Sequence, residues 1–213
     1  MKLMEIKNYL NQAADIFVPR VCCICSDELR SFEKNFCTEC FASLPFTHFW
    51  EWEDNPGKEM FRGRLNVKGV TSLLLYKGEV REAMHDFKYH RKVGIGEELG
   101  EMLGEVIASA PYMQDALKEG ITIVPIPLHK RKRRKRGYNQ AEVIARSIKR
   151  GISEDDNNIF GEIVIKPYLL KRQKFTNTQT ALDKAHRYNN IQNAFRVNER
   201  RMKRLCSKKK RRN

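Results

Sequence analysis

Five of the six cysteines in this chain lie between positions 22 and 40. Four of them form two matched pairs, Cys22-x2-Cys25 and Cys37-x2-Cys40, with eleven residues between the pairs. Two such turns in a short reach can set four sulfurs at the corners of a tetrahedron, the arrangement that Zn²⁺ prefers. Four thiolates close the coordination shell and leave no position for a reactive water, so the chemistry expected of them is structural. The metal would supply folding energy that so short a segment cannot draw from a core of its own. Cys23 is the spare, because only Cys22 and Cys25 keep the two-residue gap that matches Cys37 and Cys40. Buried free thiols or a redox pair are the alternatives that the spacing leaves open.

A second constellation points to anions. Residues 124–140 read VPIPLHKRKRRKRGYNQ. Pro125 and Pro127 end an apolar run and stiffen its exit. Lys130, Arg131, Lys132, Arg133, Arg134, Lys135 and Arg136 follow without interruption, and Gly137 permits a tight backbone turn. Asn139 and Gln140 open a helix whose N–H groups and dipole attract negative charge. Arginines beside such a site can hold phosphate oxygens in pairs. The stretch therefore reads as a phosphate-binding strand–loop–helix, with a basic surface loop as the plain alternative.

The composition sharpens this. The 213 residues carry a formal net charge of +15, and the last fourteen contribute nine basic residues and no acid. Two basic blocks on a milder body favour polyanion partners, single-stranded DNA or another nucleic acid first among them. No stretch approaches the about 18 apolar residues of a membrane span, and the N-terminus lacks the pattern of a secretory signal. A cytoplasmic protein without membrane insertion is expected, with cysteines serving as thiolates or metal ligands and not as structural disulfides.

The elements that must position these groups alternate. Helical spacing runs through residues 4–17 and ends at Pro19. Residues 41–69 are aromatic and irregular, with Phe46, Phe49, Trp50 and Trp52 expected to pack between the cysteine segment and the body. Residues 70–76 (VTSLLLY) read as a buried strand. Val80, Met84, Phe87 and Arg91 trace one helix face, and Ile95, Leu99, Met102, Leu103, Val106 and Ile107 a second. Residues 121–126 form a strand, a helix follows Asn139, and residues 163–170 offer another strand. Strands separated by helices predict an α/β domain with a largely parallel sheet, which places ligands at the carboxyl ends of its strands. The expected division is residues 1–45 as helix and metal segment, 46–198 as the α/β domain, and 199–213 as a basic disordered tail.

The residues also resemble a known family. The ComF/GntX family of phosphoribosyltransferase-like proteins has a fingerprint of the form VPVPL, a short gap, then R-x-R-x-RGFNQ. Here Val124-Pro125-Ile126-Pro127-Leu128 precede Lys132-x-Arg134-x-Arg136-Gly137-Tyr138-Asn139-Gln140, with Lys132 and Tyr138 as departures. The cysteine segment, Leu75-Tyr76-Lys77-Gly78 with Arg81 and Phe87-Lys88-Tyr89-His90, and Lys171-Arg172 through Thr176, Gln179 and Arg187 to Phe195 are similar to it in order and spacing. The resemblance implies a type I phosphoribosyltransferase fold, with residues 125–137 as the pyrophosphate loop and 172–187 as a mobile lid. Arg172, Thr176, Gln179 and Arg187 would then be candidate contacts to phosphoribosyl pyrophosphate. Without the resemblance the lid residues read as an ordinary polar loop. His85, His90, His129 and His186 share no metal spacing and read as surface or pocket-edge residues.

One part of the family pattern is not matched. The family continues past its AF-x-V stretch with a buried strand, an Asp-Asp pair and a Thr-Thr-Gly turn that grip the ribose and 5′-phosphate. Here residues 194–197 are followed by Asn198-Glu199 and the basic run. A gene truncated or shifted out of frame after about residue 198 is the simplest expectation, with a strand supplied by a separate chain as the second. Three functions follow. The first, implied by the resemblance, is a competence protein handling DNA during uptake and natural transformation, in concert with other competence proteins, with a phosphate pocket and no catalysis. The second is an active phosphoribosyltransferase releasing pyrophosphate. The third is a zinc-containing nucleic-acid-binding module.

Overall fold

The computed structural model describes residues 19–63, 66–153, 159–175 and 192–210. Its elements in chain order are α1 (Thr38–Ala42), α2 (Pro56–Glu59), α3 (Gly78–Tyr89), α4 (Val93–Ser109), a 3₁₀ turn (Pro111–Met113), α5 (Gln114–Glu119), β1 (Ile121–Ile123), α6 (Lys130–Arg136), α7 (Gln140–Ser153), β2 (Ile163–Ile165), β3 (Leu170–Arg172), β4 (Phe195–Val197) and α8 (Glu199–Lys210). The helix expected over residues 4–17 lies outside the described residues.

The centre of the molecule is the crossing of α4 and α7, and glycine makes it close. A Cβ added at Gly104 would sit 2.4 Å from the Ile148 carbonyl oxygen, and one at Gly151 would sit 2.0 Å from the Glu101 carbonyl oxygen. The two backbones thus meet at a distance that no side chain permits. Phe87 on α3 fills the remaining side of the crossing and is fully buried, together with Val80, Ala83 and Ile95. Phe36 and Leu44 belong to the same cluster, so the cysteine segment and the body share one core across residue 45. Phe46 packs against that core as expected of it. A second, smaller cluster of Leu117, Ile152 and Ile163 seats the sheet on α5 and α7.

The class is mixed α/β with a small parallel sheet. Among the described residues, β1 and β2 pair in parallel, with Ile121 opposite Ile163 and Ile123 opposite Ile165. β3 and β4 pair antiparallel, Leu170 opposite Val197, which departs from the expected largely parallel sheet. Three local expectations are also corrected. Residues 70–76 do not form a buried strand; they make one bridge, Phe46 to Leu74, and Leu75 and Tyr76 stand 42% and 60% exposed. The expected strand over 163–170 splits in two at Pro167, which has no N–H for the ladder and lies in a turn closed by Leu169 N–H donating to the Lys166 carbonyl.

The tail is the third correction, since residues 199–210 are helical rather than disordered. Asn198 starts α8: its side-chain oxygen accepts from Arg201 N–H and its carbonyl from Met202 N–H. Lysine and arginine are good helix formers once a cap removes the initiation problem. α3 ends at Tyr89, two residues short of the expected Arg91, and Arg91 takes a φ of 58° beyond it.

Candidate metal centre and cation cluster

The four cysteines are delivered by two turns. Cys22 and Cys25 flank a loop in which Ser26 N–H donates to the Cys22 carbonyl and Cys22 N–H to that of Asp27. Cys37 is the N-cap of α1 and Cys40 lies inside it. The four Sγ atoms lie within 4.8 Å of one another, and Cys25 Sγ and Cys37 Sγ are 3.7 Å apart. That separation matches the edge of a tetrahedron with metal–sulfur bonds of about 2.3 Å, which is about 3.8 Å. Backbone N–H groups already point at the sulfurs: Cys37 and Ile24 donate to Cys22 Sγ, and Cys40 donates to Cys37 Sγ. Burial pushes the Cys22 thiol up, but these backbone donors outweigh it and bring it down to about 7. The donor set and spacing fit a thiophilic divalent metal. Cys23 faces the core instead, and burial raises its thiol to about 12.

A buried carboxylate, unforeseen from the sequence, locks this segment. Glu33 accepts from Thr38 Oγ1 and Thr38 N–H with one oxygen, and from Arg30 N–H with the other. The Thr38 hydroxyl and then the Arg30 N–H hold its carboxyl below the usual range. Glu98 and Glu101 on α4 tie the segment to the body. Glu98 accepts from the Asn35 backbone and side chain, and Glu101 bridges Lys34 and Arg150 at 3.0 and 2.8 Å.

The basic block is a helix, not the loop expected over 125–137. In α6 the His129 ring accepts from Arg131 N–H at the N-cap, and Gly137 ends the helix at φ 85°. The helical turn sorts the cations onto two faces. Lys132 and Arg136, four residues apart, are half-buried toward the body, whereas Lys130, Arg131, Arg133, Arg134 and Lys135 face solvent. Arg172, at the end of β3, joins the inner pair: burial first, then the charges of Arg172 and Arg136, lower the Lys132 ammonium from its ordinary value. Three cations from two elements thus converge.

The remaining candidates divide between structure and site. Asn139 donates to the Ile126 carbonyl, fastening the start of α7 to the exit of β1. Gln140 donates to the Lys88 carbonyl and accepts from Arg136 Nη1 at 3.1 Å. Pro125 is buried and Pro127 half-buried beneath them. Arg134 points away from the cluster into solvent. Thr176, Gln179, Arg187 and His186 lie outside the described residues. His85 and His90 are exposed, in line with the surface reading, and with Asp86 they bring ligand atoms within 4.8 Å of one another. Their carboxylate is already engaged by Lys92 at 2.7 Å and His90 at 3.2 Å. No described helix is long and apolar enough to cross a membrane.

Comparison with known proteins adds one relative. Competence protein F of Haemophilus influenzae is 31% identical over 110 residues, which are 51% of this chain and 43% of the relative. The aligned part therefore spans less than half of the relative's length. No family model matches the chain, and no solved structure matches it significantly. Over that stretch the chain is similar to Competence protein F, a similarity in keeping with the family resemblance of its motifs.

Proposed function

We propose that this protein is a ComF-like competence protein that binds phosphate-bearing polyanions, single-stranded DNA above all, during DNA uptake and natural transformation in the cytoplasm. The observation that carries the reading is the convergence of Lys132, Arg136 and Arg172. Like charges brought together at a cost in repulsion are relieved by an anion placed among them; burial first, and then the charges of Arg172 and Arg136, disfavour the Lys132 ammonium. The solvent-facing cations of α6 extend the same field outward and steer a chain of phosphates toward the cluster. The relative's name supports a competence role.

Within this reading the cysteine segment holds zinc and is structural. The pocket descends from a phosphoribosyltransferase-like phosphate site, used here for binding and not catalysis, and other competence proteins are its partners. Phosphoribosyl pyrophosphate, if it enters the pocket at all, competes with the nucleic acid for the same three cations.

The test is the affinity for a short single-stranded oligonucleotide as a function of salt. The expected log–log slope is roughly −0.7 per phosphate neutralised, and Lys132→Ala with Arg136→Ala should reduce its magnitude by about 1.4. An affinity insensitive to salt, or unchanged in that double variant, removes the proposal. Displacement of the oligonucleotide by phosphoribosyl pyrophosphate at constant ionic strength would place both ligands in one pocket.

A further inference from the structure

Three aromatic side chains stand along the rim of the cation cluster, each with a cation against it. Lys88 Nζ lies 5.2 Å from the centre of the Tyr76 ring. The Arg136 guanidinium lies 4.9 Å from the Tyr89 ring and donates to its hydroxyl at 3.2 Å. Phe175 is flanked by Arg131 and Lys132 at 5.6 and 5.8 Å. The rings nonetheless remain 60%, 43% and 43% exposed.

Two of the three rings border the cluster directly: Tyr89 meets Arg136, and Phe175 meets Lys132, one helical turn away on α6. Tyr76 meets Lys88, whose carbonyl accepts from Gln140 beside Arg136. A site that recognised charge alone would need only the cations. Exposed aromatic area opposes the hydrophobic effect, so three rings held open beside phosphate-binding groups require a use. A single strand supplies one, because its phosphates meet cations while its bases stack on rings. A duplex buries the faces of its bases in its own stack.

We infer that Tyr76, Tyr89 and Phe175 form a base-stacking platform for single-stranded nucleic acid alongside the Lys132–Arg136–Arg172 cluster. The inference rests on the polyanion reading above and extends it from phosphates to bases. Neighbouring cations and, for Tyr89 and Phe175, the rings of His85 and His129 at 4.7 and 5.2 Å hold the orientation of these rings, while their exposed area remains for a base.

The experiment compares two oligonucleotides of equal length and charge at one salt concentration, oligo-thymidylate and its abasic counterpart. Full-length protein should bind the base-bearing strand at least about fivefold more tightly, since stacking contributes of order 1–3 kcal/mol per base. That ratio should fall toward one in the combined Tyr76→Ala, Tyr89→Ala and Phe175→Ala variant. It should persist in Tyr89→Phe and Phe175→Tyr, which keep a ring at each position. Equal affinity for the two strands, or a ratio that survives the combined alanine variant, overturns the stacking platform and leaves the charge reading standing. Binding of neither strand overturns both.

Discussion

In the cysteine segment each turn is held by a nearby partner, whereas α6 sets seven like charges side by side on one short helix. Glu33 collects three donors within five residues of itself, backbone N–H groups aim at the sulfurs, and Phe36 and Leu44 anchor the loop in the main core. In α6, seven cations share one short helix with a capping His129 and a terminal Gly137; among the described residues Glu142 meets Arg133, and Gln140 and Tyr89 meet Arg136. The first region is built to keep its shape without a binding partner beyond the metal. The second gathers like charges, which under the proposed function a polyanion would relieve. Compactness thus marks the cysteine segment and electrostatic tension marks the proposed binding site.

Removing the metal ligands should give the largest effect. Replacing Cys37 and Cys40 together by serine should take bound zinc from about one equivalent per chain to nearly none. Structural zinc contributes roughly 10–16 kcal/mol of apparent binding free energy in small zinc-finger peptides, so the segment should unfold. Because Phe36 and Leu44 lie in the common core, the body should melt at lower temperature too. Metal analysis beside a thermal melt checks both; unchanged zinc content would refute the assignment of ligands.

A smaller effect is expected where the two regions are coupled. Burial raises the Glu101 carboxyl, but hydrogen bonds from Arg150 and Lys34 outweigh it and hold it below its ordinary 4.5. Its contribution to stability is therefore present above that pH and lost as pH falls through the lowered value. Glu101→Gln should cost on the order of 1 kcal/mol at neutral pH, allowing for solvent screening of its partners, and almost nothing at pH 3. Denaturant unfolding at both pH values gives the comparison, and a cost independent of pH would mean that packing, not charge, is what Glu101 supplies.

The smallest effect should have opposite sign in stability and in binding. Lys130 and Arg134 are solvent-facing and one turn apart on α6. Alanine at both removes a repulsive i,i+4 pair and should stabilise the protein by a few tenths of a kcal/mol. The same change should weaken oligonucleotide binding and flatten its salt dependence. A variant that loses stability and keeps its affinity would reverse the contrast drawn between the two regions.

Much of this was legible along the chain because it depends on short-range spacing. The paired two-residue gaps specify four sulfurs that come within 4.8 Å, and the 3.6-residue period finds α3, α4 and α7 to within a few residues. Signals that local chemistry can override were read less well. Pro167 cuts one apparent strand in two, and the apolar run over 70–76 pairs only locally with residues 45–47 through the Phe46–Leu74 bridge. Asn198 converts an apparently structureless basic run into α8. Uninterrupted positive charge was read as a loop, although lysine and arginine carry good helical propensity and Gly137 supplies a left-handed end.

By itself, then, the sequence determined the four-cysteine cluster that could hold a metal, the positions of the main helices and the placement of a basic block after β1, since each rests on intervals of a few residues. Only the tertiary structure decided which cations act together. Lys132 and Arg136 turn inward because a helix sets residues four apart on one face, and Arg172 reaches them because β3 ends beside α6. The close α4–α7 crossing, where Gly104 and Gly151 let backbones touch, likewise appears only when two distant segments meet. Spacing along a chain records what neighbours can do; convergence of groups far apart in sequence is set by packing, which no local pattern encodes.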